Sequence, residues 1–348
     1  MVQLEKKREV YIDVIKIIAC FLVIVNHTNN TWMFTSRSPS PTWFIAVTYF
    51  FISKPAVPLF IMASGAVLLG KNDSASGYAK RVLRVVIVLL VFSAFYFFTK
   101  TPAPSITLDN VLLFFTTVIS QNVTNAYWYL YLYIGLLLML PVLNILAKTL
   151  DDKAHMYIFV ITIGVAGLLP IIAHYIPQIS FSSHITAPLL SCEAGLFLAG
   201  YSFHTRSKRK AKTCYAAVIC YFTLLMVMVF GTYFEYLKNA QSYLFYDNRS
   251  HITITLSAIC IFYIVKHLFY RSVVSDKAAS IIKKISVCTF GIYLLSDFFI
   301  AKFQFVLSAF FRIFHPMIAI VAFQIVVFTI CYIVTYLLRL IPFVRKYV

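Results

Sequence analysis

Long apolar runs separated by short polar segments dominate this chain. Ten of these runs approach the roughly 20 apolar residues that a membrane-spanning helix needs. The predicted spans are residues 10–28, 45–69, 85–100, 127–147, 155–174, 186–203, 214–234, 251–270, 286–307 and 316–341. The runs are continuously apolar rather than alternating, which favours helices over the strands of a β-barrel. The pattern predicts an all-α fold, a polytopic transmembrane helical bundle of about ten spans in a single domain over residues 1–348.

Composition narrows the class of protein further. Of the 348 residues, 61% are hydrophobic and only 12% are charged, whereas a typical soluble domain is about 25% charged. A disordered chain and a water-soluble nucleic-acid binder are therefore excluded, and no nucleic-acid partner is expected. The seven cysteines include no C-x-x-C pair, which predicts free thiols and no metal site.

The cationic residues predict an orientation in the membrane. The chain carries 30 Lys and Arg residues against 12 Asp and Glu, a formal net charge of +18. With the N-terminus placed inside the cell, twenty-two of the cationic residues fall in cytoplasmic segments and six in outer ones. The positive-inside rule then predicts a multi-pass protein of the cell membrane with both termini in the cytoplasm. Membrane lipids with anionic headgroups are the expected partner of this basic fringe.

Three polar residues interrupt the first predicted span, namely Asp13, Lys16 and His27. Lys16 and His27 are eleven positions apart, which places them on one helix face and about 16 Å apart along the axis. Asp13 precedes Lys16 by one turn, within pairing distance. Ionisable residues inside a membrane usually face the bundle interior and indicate a functional site. The alternative interpretation is an interfacial pair of Asp13 and Lys16, with His27 at the polar end of the span.

Several blocks of sequence resemble the acyltransferase-3 family of membrane O-acyltransferases, in the same order and over nearly the whole chain. The blocks are Tyr11–Cys20 with Asn26–Thr28, Val57–Gly65, Lys80–Arg84, Ala126–Leu130 and Phe290–Leu294. The family has an arginine, ten residues and a histidine in its first span, and Lys16 and His27 hold these positions here. Ala126 and Ser296 stand where many members have histidines.

The resemblance implies transfer of an acyl group, expected to be acetyl, from cytosolic acetyl-CoA to a hydroxyl of a surface or lipid-linked glycan. It implies a catalytic set of His27, Asp13 and Lys16, in which His27 accepts the hydroxyl proton. Direct transfer and an acyl-histidine intermediate both remain open. Arg81, Arg84 and Lys16 are expected to bind the CoA phosphates, because guanidinium groups match phosphate geometry. The alternative role of Arg81 and Arg84 is anchoring of the topology.

Four further residues are candidates for contact with the acceptor. Trp128 and Tyr129 can stack on a sugar, although aromatic residues at a span end more often form an interfacial belt. Ser64 can offer a hydroxyl, although small residues in spans more often serve helix packing. Glu193 is a carboxyl in a predicted span, and its alternative role is pairing with a cation.

Two other classes of protein remain open. A transporter or polysaccharide exporter would use Asp13, Lys16, His27 and Glu193 as a proton or substrate path, although the sequence shows no internal repeat. A structural or sensory membrane protein would carry its charges for topology alone. Consumption of acyl-CoA distinguishes the enzyme from both.

Overall fold

A computed structural model describes residues 9–35, 39–100, 107–120, 123–176, 178–179, 191–207, 210–239, 245–247, 251–269 and 274–348. Regular structure in these ranges is helical throughout, and no β-strand occurs among them. The all-α prediction is therefore confirmed for the described chain. Contacts divide the chain into two compact units. The first unit comprises Met1–Gly70 and Leu146–Thr289, and the second comprises Lys71–Ile145 and Phe290–Val348.

The α-helices follow one another closely along the described chain. They are α1 (Val10–Thr35), α2 (Pro41–Ser53), α3 (Ala56–Leu68), α4 (Ala75–Lys100), α5 (Leu108–Ser120), α6 (Trp128–Leu138), α7 (Leu140–Thr149), α8 (Asp152–Tyr175), α9 (Cys192–Thr205), α10 (Ala211–Asn239), α11 (Ile252–Leu268), α12 (Asp276–Ser286), α13 (Thr289–Lys302), α14 (Gln304–Ile313) and α15 (Pro316–Leu338). Short 3₁₀ helices occupy Asn125–Tyr127, Phe245–Asp247 and Val344–Lys346. Helices α1–α3 and α8–α12 belong to the first unit. Helices α4–α6, α14 and α15 belong to the second, α7 crosses the boundary, and α13 begins with the last residue of the first unit.

Close backbone packing between α3 and α9 organises the first unit. A β-carbon on Gly65 would lie 1.9 Å from the carbonyl oxygen of Phe197, and one on Gly200 would lie 2.0 Å from that of Met62. Only glycine permits this approach, as is usual where small residues line helix interfaces in membranes. Helix α1 packs against α2, α3, α11 and α12, so its side chains are held from several sides.

Aromatic side chains fill much of the remaining interior. In the first unit, α2 and α10 contribute to a cluster around the fully buried Trp43 and Phe50. In the second unit, α4 packs against α5 and α6, and α14 packs against α15. There the buried rings of Tyr96, Tyr127 and Tyr293 lie together, with the Tyr96 and Tyr127 centroids 5.3 Å apart.

The described helices support a membrane protein but divide the predicted spans differently. Six described segments are long and apolar enough to cross a membrane, and the number is up to eight if each of two bent helix pairs counts as one span. The bent pairs are α6 with α7, at 58°, and α12 with α13, at 50°. Large apolar side chains are exposed on α10, including Tyr215, Ile219 and Phe222. Exposed apolar surface of this kind suits contact with lipid.

Local sequence explains one of the breaks. Predicted span 45–69 is two helices, because α2 ends at Ser53 and α3 begins at Ala56 after a turn at Lys54 and Pro55. Proline has no N–H to continue a helix, and its ring clashes with the preceding turn. The sequence analysis also missed α5, whose exposed face carries Leu112 and other apolar residues.

Candidate functional site

Asp13 is held at the start of α1 in the first unit. Its side chain is only 4% exposed, and its Oδ1 accepts a hydrogen bond from the Ser286 hydroxyl at 2.6 Å. Ser286 is the last residue of α12. The predicted carboxyl in the first span therefore joins two helices of the first unit.

Lys16 and His27 follow on the same helix and are both half-buried. The continuous helix from Val10 to Thr35 gives them the spacing of three turns that the sequence predicts. Next to His27, the side-chain oxygen of Asn26 is buried and has no hydrogen-bond partner among the described residues. A buried polar atom without a partner is unusual in proteins, and the sequence analysis did not select Asn26.

A second network holds the first turn of α1 in place. The Tyr11 hydroxyl shares a short hydrogen bond with His204 Nδ1 at the end of α9. Lys266 of α11 is 6% exposed, and its Nζ donates to the carbonyl oxygens of Phe203 at 2.6 Å, His204 at 3.2 Å and Ser207 at 2.8 Å. This lysine satisfies the carbonyls that a helix C-terminus leaves unpaired. Its contacts thus account for a cation that the sequence places inside a predicted span.

Ser64 and Glu193 occupy different positions on the first unit. Ser64 is half-buried on α3, directly before the Gly65 contact with α9. Glu193 is half-buried in the first turn of α9, which begins at Cys192. A carboxyl group at this end of a helix is favoured by the helix dipole. The first part of predicted span 186–203, up to residue 190, lies outside the described residues.

Arg81 and Arg84 lie near the start of α4 in the second unit. Arg81 is half-buried, and its Nη1 is 2.6 Å from Oδ2 of Asp73. Arg84 is exposed, and its Nη2 donates to the carbonyl oxygen of Tyr347 at 3.4 Å. Both guanidinium groups are close enough to Tyr133 for an electrostatic interaction. Asp73 therefore engages one arginine, while the other remains on the surface.

Trp128 and Tyr129 begin α6 in the same unit. Trp128 is half-buried, and Tyr129 is buried. The ring of Tyr129 stacks on that of Tyr133, with centroids 5.8 Å apart and an interplanar angle of 18°. Tyr133 thus interacts electrostatically with both arginines and stacks on Tyr129.

Asp297 of α13 is a half-buried carboxyl group that was not among the predicted site residues. Its Oδ2 accepts hydrogen bonds from the Thr124 hydroxyl at 2.6 Å and from the Ala126 amide at 3.3 Å. The available signal was an ionisable residue inside predicted span 286–307, the same criterion that selected Asp13 and Glu193.

An ion pair and a histidine–carboxyl contact of the first unit were also not predicted. Lys54 pairs with Asp247 and lies 3.7 Å from the centroid of the Phe50 ring. Burial raises the pKa of the Asp247 carboxyl above its ordinary value, although the Lys54 ammonium opposes the shift. On α8 and α10, His174 Nε2 is 3.2 Å from Oε1 of Glu235, which is 4% exposed. Lys54 also lies inside a predicted span, so the same sequence signal could have found it.

Comparison with known proteins identifies the chain. The sequence model of the acyltransferase-3 family, described as an acyltransferase domain, matches residues 9–336. The chain belongs to the acyltransferase-3 family. Together with the apolar helices, this membership supports a membrane acyltransferase. No curated protein and no solved structure matches the chain.

Two departures from the acyltransferase-3 pattern fall on one hydrogen-bonded region of the second unit. Ala126 donates its amide to Asp297 and accepts at its carbonyl oxygen from the Tyr293 hydroxyl. Ser296 is fully buried, and its hydroxyl donates to the carbonyl oxygen of Tyr293 at 2.9 Å. Where many family members have histidines, this chain therefore has small residues beside an aspartate.

Proposed function

We propose that this acyltransferase-3 member is an integral membrane O-acyltransferase that moves an acetyl group from cytosolic acetyl-CoA to a hydroxyl of a surface or lipid-linked glycan. The observation that carries the proposal is helix α1. It places Asp13, Lys16 and His27 along one buried helix of a chain that matches the family over residues 9–336. A charged or titratable residue is costly in a membrane unless it serves the protein there.

His27 is the proposed general base. Its imidazole accepts the proton of the acceptor hydroxyl, and the hydroxyl oxygen attacks the thioester carbonyl carbon of acetyl-CoA. Collapse of the tetrahedral intermediate breaks the carbon–sulfur bond, and the proton on His27 passes to the CoA thiolate. The developing oxyanion needs a cationic or N–H donor. Lys16 lies about 16 Å from His27 along the helix axis, so its proposed role is on the donor rather than on the oxyanion, and Asp13 lies one turn before it on α1.

The donor's phosphates are assigned to Arg81, Arg84 and Lys16. The exposed guanidinium of Arg84 supports this role, because bidentate arginine contacts suit phosphate oxygens. Arg81 would contact the donor's phosphates while it also pairs with Asp73.

The acceptor is assigned to Trp128 and Tyr129, with Ser64 and Glu193 as further polar contacts. A half-buried indole beside a buried phenol offers an apolar surface for a sugar ring and a polar edge for its hydroxyls. The buried oxygen of Asn26 supports a polar ligand close to His27, since it has no partner among the described residues.

We further propose that the chain crosses the cell membrane ten times with both termini in the cytoplasm. The six apolar segments and the two bent pairs account for eight crossings. Helices α9 and α11 supply the remaining two, and α5 and α14 lie beside the spans. Cysteine labelling from each side of sealed vesicles tests this arrangement; an outer C-terminus would contradict it.

The decisive experiment combines transfer and product identification. The purified protein in lipid nanodiscs is incubated with acetyl-labelled acetyl-CoA, and CoA release is followed over time. In parallel, mass spectrometry compares the surface glycans of cells with and without the protein. Release of CoA together with a gain of one acetyl mass on a glycan is expected. Substrate flux into vesicles without consumption of acetyl-CoA would replace the proposal with a transporter.

A further inference from the structure

Two hydrogen bonds of Asp297 reach one short segment of the second unit. Its Oδ2 accepts from the Thr124 hydroxyl at 2.6 Å and from the Ala126 amide at 3.3 Å. Thr124 has extended backbone, with φ −141° and ψ 149°, and the next three residues form the 3₁₀ helix Asn125–Tyr127. The carboxyl group therefore binds the segment at the point where it turns into helix.

Other residues of α13 fasten the same segment. The Tyr293 hydroxyl donates to the carbonyl oxygen of Ala126. In the opposite direction, the Tyr127 hydroxyl donates to the carbonyl oxygen of Leu294 at 3.0 Å. A single turn of 3₁₀ helix has poor intrinsic hydrogen bonding, so these contacts with α13 determine its conformation.

Trp128 and Tyr129 follow this segment without an intervening residue. Helix α6 begins at Trp128 and has no side-chain cap at Tyr127. The direction in which α6 leaves the segment therefore depends on the segment's attachment to α13. A change in that attachment moves the two aromatic rings that the proposed function assigns to the acceptor.

We propose that Asp297 is a positioning residue for the acceptor, fixing Trp128 and Tyr129 through the Thr124 hydroxyl and the Ala126 amide. The identity of the ligand as a sugar acceptor rests on the proposed function. The attachment of the segment to α13 does not. Hydrogen bonds to a carboxylate are roughly twice as strong as neutral ones, so a carboxyl group at this position holds the segment more firmly than a neutral acceptor would.

The chain offers a matched pair of variants at Thr124. Thr124→Val keeps the shape of the side chain and removes the hydroxyl, whereas Thr124→Ser keeps the hydroxyl. We expect Thr124→Val to raise the KM for the acceptor about tenfold, the effect of losing one hydrogen bond to a charged group. We expect Thr124→Ser to stay within about twofold, since its hydrogen bond survives. We expect Asp297→Asn to raise the KM for the acceptor by a factor between these two values, because the amide oxygen still accepts hydrogen bonds.

The transfer assay uses the full chain in nanodiscs, acetyl-CoA as donor and methyl β-glucoside as the acceptor probe. If Asp297 positions the acceptor residues, the KM for the glucoside rises in Thr124→Val and in Asp297→Asn, and the KM for acetyl-CoA stays unchanged. Asp109→Asn is the charge control, since Asp109 is exposed on α5 of the same unit. Equal kinetics for Thr124→Val and Thr124→Ser would overturn the proposal, as would parallel losses in both KM values.

Hydrogen exchange tests the attachment without reference to activity. Peptides covering residues 123–131 should exchange faster in Thr124→Val than in Thr124→Ser, while peptides of α15 stay unchanged. Unchanged exchange in Thr124→Val would show that the segment does not depend on Asp297. Absence of acetyl transfer in the wild-type protein would refute the proposed function, and the exchange data would still decide whether Asp297 holds the segment.

Discussion

Each unit of this acyltransferase contains a carboxyl group that accepts a hydroxyl hydrogen bond at 2.6 Å, but the donors lie in different kinds of backbone. Asp13 of the first unit binds Ser286, at the end of helix α12. Asp297 of the second unit binds Thr124, in extended backbone before a 3₁₀ turn. The first contact joins two helices. The second fixes a segment whose own hydrogen bonds are too few to define it.

The difference separates two ways of placing functional residues. In the first unit, the proposed chemistry lies on one continuous helix, and the 3.6-residue repeat alone sets the spacing of Lys16 and His27. In the second unit, the proposed donor contacts come from α4 and the acceptor contacts from α6, and Asp297 of α13 holds the segment before α6. Helix geometry predicts the first arrangement; the second depends on packing.

The largest expected effect tests the chemistry assigned to α1. His27→Ala should lower the rate of acetyl transfer by about 10²- to 10⁴-fold, the usual contribution of a general base. The measurement is the initial rate of labelled acetyl transfer at saturating acetyl-CoA. His315→Ser is the matched control, because His315 is exposed at the start of α15 and serine can also cap that helix. A folded His27→Ala protein with the wild-type rate would remove His27 from the mechanism.

The next largest effect is on stability, and it compares the packing around one glycine in each unit. Gly65→Ala should lower the free energy of unfolding by about 1–3 kcal/mol, as overpacking does, because its β-carbon would lie 1.9 Å from the Phe197 oxygen. Gly135→Ala on α6 should leave stability unchanged or raise it by up to about 1 kcal/mol. A β-carbon there would meet nothing within 4 Å. Thermal unfolding in detergent measures both, and equal shifts would contradict the close contact of α3 with α9.

A smaller effect tests donor binding in the second unit. Arg84→Ala should raise the KM for acetyl-CoA about tenfold, the equivalent of about 1.4 kcal/mol, with little change in kcat. Arg84→Lys should lose less, since it keeps the charge but not the bidentate geometry. Lys80→Ala is the control on the same helix, because Lys80 is also exposed. If all three variants raise the KM equally, general surface charge rather than Arg84 attracts the donor.

The smallest effect concerns Asp13, the counterpart of Asp297. Asp13→Asn should cost less than about 1 kcal/mol of stability, because the amide oxygen still accepts from the Ser286 hydroxyl. Its transfer rate separates two roles of the carboxyl group. A rate close to wild type indicates a contact between helices, whereas a loss as large as that of His27→Ala would place the Asp13 charge in the chemistry. Circular dichroism measures the stability of Asp13→Asn, and the transfer assay measures its rate.

Much of the fold could be predicted because the apolar runs are long. Helix α1 covers the whole of predicted span 10–28, and α8 covers predicted span 155–174. The break at Pro55 was not predicted, although proline ends a helix by its own chemistry. The bend between α12 and α13 could not be predicted from the sequence. The turn there is Val287 and Cys288, and neither residue type disrupts a helix as proline and glycine do.

The candidate site shows the same division between local and distant information. Asp13, Lys16 and His27 were found because they interrupt one apolar run at helical spacing. Asp297 interrupts a run as well, but its partner Thr124 is 173 residues away in sequence. Lys266 likewise gives its hydrogen bonds to the end of α9, about 60 residues earlier in the chain. Periodicity carries no information about such partners.

The sequence by itself determined the class of this protein, its family resemblance and the line of polar residues on its first helix. These follow from hydropathy, from short motifs and from the fixed rise of a helix. The tertiary structure alone decided that Asp13 meets Ser286, that Gly65 meets the backbone of Phe197, and that Asp297 holds the segment before α6. The reason is that hydrogen bonds and steric fit between distant segments arise only when the helices pack.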